Sequence, residues 1–166
     1  AGTVARGWLR EDRALNTGLG PDGKFLSELP AAVTFDRALL VRGTSLAEAK
    51  RFLERAAEID PNRAEYHLYV GWVANDLGDT SLAESALKRA IALDRNMGEA
   101  YWQRAVLLQK QGQSLDALAD LKIALEKSTS RFEIYATMAS CYQDQSKWPE
   151  AEDAWRRAIA GNDQNA

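Results

Sequence analysis

Small residues return every 34 positions along most of this chain: Ala83, Ala117 and Ala151 form one series, and Ala90, Ala124 and Ala158 another. Both extend backward, to Ala49 and Ala56. Gly71, Ala105 and Ala139 form a third series, and Leu53, Leu87, Leu121 and Trp155 a fourth with a large side chain. Several registers sharing one period mark an internal repeat. A repeat of this length is one supersecondary unit that cannot bury its apolar face alone, so its neighbours must stack on it.

Within each unit the apolar spacing is helical and falls into two segments, the second reading SLAESALKRAIALD, SLDALADLKIALEK or PEAEDAWRRAIAGN. Turn signals separate the two, Gly78-Asp79 and Gly112-Gln113, replaced in the last unit by Ser146-Lys147. Ser81 with Glu84 fits a capping box, and Pro149 suits the first turn of a helix. Each unit is therefore expected to be a helix–turn–helix hairpin. Small residues let helices approach closely, and one large side chain per second helix fills the space between them.

This pattern resembles the tetratricopeptide repeat. His67, Tyr101 and Tyr135 stand at its fourth position, Val70, Arg104 and Met138 at the seventh, and Gly71, Ala105 and Ala139 at the eighth. The resemblance implies an all-α fold, a right-handed α-solenoid. The units run over 30–63, 64–97, 98–131 and 132–165, with a non-repeat extension at 1–29. The first unit is degenerate: Asp36 and Arg37 fall where an apolar and a small residue are expected, so its first helix is read as shifted in register. Pro61 closes that unit, whereas Arg95, Thr129 and Asp163 replace the closing proline later. Within 1–29, Val4, Trp8 and Leu15 suggest a short docked helix ended by Gly18, with GPDG as a turn. Phe25 and Leu26 add to the case for docking. The chain starts at Ala1 and is expected to be a piece of a longer one, its last helix incompletely covered.

His67 is the only histidine and Cys141 the only cysteine. By register His67 fills the slot that holds tyrosine in the next two units, and Cys141 aligns with Val73 and Leu107 as a small buried hydrophobe. Two repeats separate them, too far for a nucleophile–base pair. No enzymatic role, metal site or cofactor is expected. Trp155 and Trp148 are read as structural.

The resemblance places other residues on the concave face, where a partner would lie. Tyr69, Trp72 and Trp102 are the expected aromatic anchors. Glu65, Glu99 and Glu133, at the second position, would form an acidic stripe, though acids in a first turn also suit the helix dipole. Asn75, Gln103, Gln109 and Thr137 supply polar groups for a peptide backbone. The cationic clamp with which some members of the family grip a terminal carboxylate is absent: its positions hold Leu68, Trp72, Gln103, Glu133 and Thr137, or Thr34, Ala38, Tyr69, Glu99 and Gln103 one repeat earlier. The expected function is a non-catalytic protein-interaction scaffold binding a peptide or helix with apolar anchors and some basic character. The alternative is a structural, self-associating segment with an empty groove.

Composition trims the remaining classes. Twenty-one basic residues against 24 acidic ones give a net charge of −3, with no basic run to neutralise phosphates, so nucleic acid is not an expected partner. No apolar run approaches the roughly twenty residues that span a bilayer. A single cysteine favours a reducing compartment, and a cytoplasmic location is the expectation.

Overall fold

A computed structural model describes residues 30–128 and 131–162. The extension at 1–29 and the closing positions Thr129 and Asp163 lie outside the described residues. Among the described residues eight helices follow in order: α1 (Ala31–Val41), α2 (Leu46–Ile59), α3 (Ala64–Asp76), α4 (Thr80–Leu93), α5 (Gly98–Lys110), α6 (Ser114–Lys127), α7 (Arg131–Asp144) and α8 (Trp148–Asn162). They pair into antiparallel hairpins, and each later first helix also packs on the second helix before it. From the second hairpin onward the first helices touch one another, α3 with α5 and α5 with α7, more closely than the second helices do. The stack therefore curves with the first helices inside.

The period is written into the core. Ala49, Ala83 and Ala117, then Ala56, Ala90, Ala124 and Ala158, are fully buried, as are Leu53, Leu87 and Leu121. Gly71 shows why its series must be small: a Cβ there would lie 2.6 Å from Cγ of Leu87. In α1 the buried residues are Thr34, Phe35 and Ala38, while Asp36 is exposed. The small residue of this helix is thus Ala38, one place later than the period requires. The turn into α2 is built differently to match.

The three later hairpins turn through the same motif. The second residue after each first helix takes a left-handed conformation, at Gly78 (φ 78°), Gly112 (φ 77°) and Ser146 (φ 57°). Its N–H and the next one bond back to the helix, as in Gly78 to Asn75 and Asp79 to Ala74, or Ser146 to Gln143 and Lys147 to Tyr142. A side chain in this region costs about 1–2 kcal/mol, partly offset by the backbone freedom that glycine retains when unfolded. Ser146→Gly is therefore expected to stabilise the protein by about 0.5–1 kcal/mol. Gly112→Ser should destabilise it by a similar amount, and urea midpoints of the two variants check both signs.

The expected capping box at Ser81 and Glu84 is not formed. Asp79, delivered by the Gly78 turn, is the N-cap of α4 and accepts from the Leu82 N–H at 3.3 Å, which leaves Ser81 inside the helix. Glu84 instead pairs with Lys88 at 2.6 Å. The same Ser-Leu-Ala-Glu sequence caps α2, where Ser45 accepts from the Glu48 N–H. Trp155 and Trp148 also depart from their structural assignment. Trp155 is 39% exposed where its counterparts are fully buried, because no described helix follows α8 to cover it, and Trp148 is exposed as well.

Candidate functional site

The inner surface carries a run of aromatic rings that crosses hairpin boundaries. Phe35 of α1 lies 5.1 Å from Tyr69 of α3, edge to face. Tyr69 stacks on Trp72 at 5.7 Å, and Trp72 meets the edge of Trp102 on α5 at 6.4 Å. Trp102 then donates its indole N–H to Thr137 on α7 at 3.1 Å. Helical spacing explains the order, since positions three apart on α3 share a face and adjacent first helices present theirs side by side. Tyr69, Trp72 and Trp102 are half-buried, so each ring packs against a neighbour and keeps part of its surface in solvent.

Two cations missing from the sequence reading reach this surface. The Arg42 guanidinium, just beyond α1, sits 4.2 Å over the Trp72 ring and 5.8 Å from Tyr69. Such a seat favours a cation by about 0.5–1 kcal/mol or more. Lys110, at the end of α5, donates to the side-chain oxygen of Asn75 at 2.9 Å and to its backbone carbonyl at 3.2 Å. Both residues close a first helix, at a position where only long side chains can bend back over the face. Nη1 of Arg42 and Nδ2 of Asn75 are buried without a hydrogen-bond partner.

Most of the other polar groups are engaged within the protein. Gln103 and Asn75 are buried. Gln109 donates to Ser140 at 2.6 Å and to Asp144 at 3.1 Å, and Thr137 donates to the Glu133 carbonyl at 2.8 Å. Glu65 lies 3.6 Å from Arg63, and Glu99 accepts from Ser128 at 2.7 Å. Glu133 is exposed.

The seventh-position arginine has a structural explanation. Arg104 makes a two-point pair with Asp120, Nε to Oδ2 at 2.6 Å and Nη2 to Oδ1 at 2.7 Å, and Asp120 is buried. Asp120 occupies the place of Phe52, Ala86 and Ala154 in the other hairpins, all buried apolar residues. Two exceptions to the repeat pattern, 16 residues apart in one unit, thus answer each other.

His67 lies outside the aromatic run. Its Nε2 is 2.9 Å from the Pro61 carbonyl, so the Nε2–H form donates across the turn into α3. Its cleft is bordered by Glu58, Leu82 and Arg89. His67→Tyr removes this bond but restores the residue of the next two units; the expected cost is about 1 kcal/mol or less by chemical denaturation. Cys141 is fully buried, and burial, aided by the charge of Asp144, raises its pKa to about 11. Between pH ~9, where an unfolded thiol ionises, and about 11, only the unfolded chain gives up this proton, so stability should fall as pH rises through that window. At pH ~8, near but below the ordinary thiol pKa, alkylation should follow the opening of the fold, not free-thiol rates. No group of three or more metal-binding side chains occurs among the described residues.

Stacked antiparallel helix pairs with small residues at their crossings form an α-solenoid of helix–turn–helix hairpins, the fold of tetratricopeptide-repeat structures. Residues 64–97 match the family model described as tetratricopeptide repeat. Among solved structures the chain is similar to MamA from Desulfovibrio magneticus RS-1, with 21% identity and a TM-score of 0.68 over 79% of this chain and 75% of that one. It is similar to PilW, a type IV pilus biogenesis factor, with 18% identity and a TM-score of 0.74 over 80% of this chain and 62% of PilW. The first such domain of Spaghetti (RPAP3), solved with an HSP90 peptide, shares 20% identity and a TM-score of 0.65, covering 70% and 93%. No curated protein matches the chain at a significant level.

Proposed function

We propose that the chain is a non-catalytic scaffold that binds an extended or helical segment of a protein partner across α3, α5 and α7. The observation that carries this is the aromatic run Tyr69–Trp72–Trp102: three rings on rigid helices, held in place by one another and by Arg42 and Thr137, yet still partly open to solvent. Rings fixed in this way lose little freedom when a partner covers them, which is the property of an interface anchor. Glu65, Glu99 and Glu133 favour a segment with basic residues among its apolar ones. A similar fold has been solved around an HSP90 peptide, which supports a peptide as the ligand class. The single thiol suits a reducing compartment such as the cytoplasm; no helix among the described residues is long and apolar enough to cross a membrane.

The test is selection of displayed random peptides on the intact chain, with counter-selection on a variant carrying Trp72→Ala and Trp102→Ala. Binders that are apolar and basic and are lost on the variant support the groove. Binders that survive on the variant place recognition elsewhere.

A further inference from the structure

Three times within this chain a first helix seats on the second helix before it: α3 on α2, α5 on α4 and α7 on α6. The receiving face is built around Leu53, Leu87 or Leu121, all fully buried. The seating face is equally regular, with Tyr66 and Val73, Ala100 and Leu107, or Ile134 and Cys141, every one of them buried. Each end of the described stack shows one half of this interface uncovered. On α8 the receiving face is Trp155 and Ile159, 39% and 61% exposed, with Trp148 exposed on the same side. On α1, counting from Ala38 as its small residue, the seating pair is Val33 and Leu40, 43% and 75% exposed.

We infer that these two faces are complementary halves of one interface, so that a second copy of this chain seats its α1 on α8, continuing the solenoid from molecule to molecule. The occupant follows from the contact that the chain already makes three times: the face on α8 fits the first helix of a hairpin, and α1 exposes Val33 and Leu40 at the two positions that fill that seat elsewhere. Charge does not oppose the contact. The ionic groups beside the stripe are paired along α8 itself, Arg156 with Glu152 at 2.6 Å and Arg157 with Asp153 at 2.8 Å. Because the joined surfaces differ, the contact is head to tail and does not close on itself, and growth is open-ended. It is independent of the groove and its ligand.

Light scattering on the intact chain, from micromolar to millimolar concentration, tests this. The mass of the unmodified protein should rise continuously with concentration. Trp155→Asp blocks the receiving end and Leu40→Asp the seating end, and each variant alone should remain a monomer with unchanged helical circular dichroism. Mixed in equal amounts they should form a dimer of twice the monomer mass and nothing larger, since one intact α8 and one intact α1 remain. The inference is overturned if the unmodified chain stays monomeric throughout. It is equally overturned if the Leu40→Asp variant dimerises by itself, the mark of a contact between two α8 faces.

Discussion

Asp120→Ala is expected to cost about 3 kcal/mol or more, a loss normally associated with deleting a core side chain. The carboxylate is buried and takes two hydrogen bonds from Arg104. Removing it leaves a guanidinium in a partly closed site with no countercharge, and an uncompensated charge is far more costly than the intact pair is beneficial. The companion experiment separates these quantities. Arg104→Met with Asp120→Ala gives this hairpin the residues that the next one carries, Met138 and Ala154, both buried there. The double variant should recover most of the loss, because replacing both partners by apolar groups of suitable shape is often neutral or stabilising. Denaturant midpoints for the two single variants and the double one close the cycle. A single-variant loss below ~1 kcal/mol would mean that solvent screens the pair as it does a surface bridge.

Trp72→Ala and Trp102→Ala should each weaken a peptide selected on the groove by about 2 kcal/mol or more, roughly thirtyfold in Kd. Both rings contribute surface and are already held in place, so truncation removes burial with little entropy returned. Each loss also releases a neighbour: without Trp72 the guanidinium of Arg42 has no ring beneath it, and without Trp102 the Thr137 hydroxyl loses its donor. Helical circular dichroism must therefore be matched before affinities are compared. Glu99→Gln should act more weakly and mainly at low salt, as a charge at the rim steers association more than it holds the complex. Titration calorimetry with the selected peptide measures all three. Equal affinity for both tryptophan variants moves the binding surface off the inner face.

Sequence spacing was enough to locate the hairpins because their determinants are local. A glycine two places past a helix, or a serine in the same register, marks the turn whatever surrounds it. Capping was less legible. Ser-Leu-Ala-Glu occurs at both 45–48 and 81–84, yet only Ser45 caps, since Asp79 already follows the Gly78 turn. The register thus depends on residues outside the motif. The grouping of Tyr69, Trp72 and Trp102 was an expectation from the family resemblance, whereas the reach of Arg42 and Lys110 depends on long side chains folding back from helix ends. The Arg104–Asp120 pair was detectable in principle: two charged residues at positions that are apolar in neighbouring units are a signal when they fall in the same unit. Trp155 shares the register of Leu53, Leu87 and Leu121 yet is exposed, because the described helices that cover those leucines have no counterpart over α8.

The strong packing in this protein joins helices that are adjacent in the chain, with lesser contacts between first helices one hairpin apart. Little entropy is lost in closing long loops, so folding is expected on the microsecond-to-millisecond scale typical of local topologies. The same economy has a mechanical side. Pulled or heated, such a stack has no distant strand to hold its ends, and it should fray hairpin by hairpin, beginning at α8, while the linked rings of α1, α3 and α5 keep the earlier units together longest.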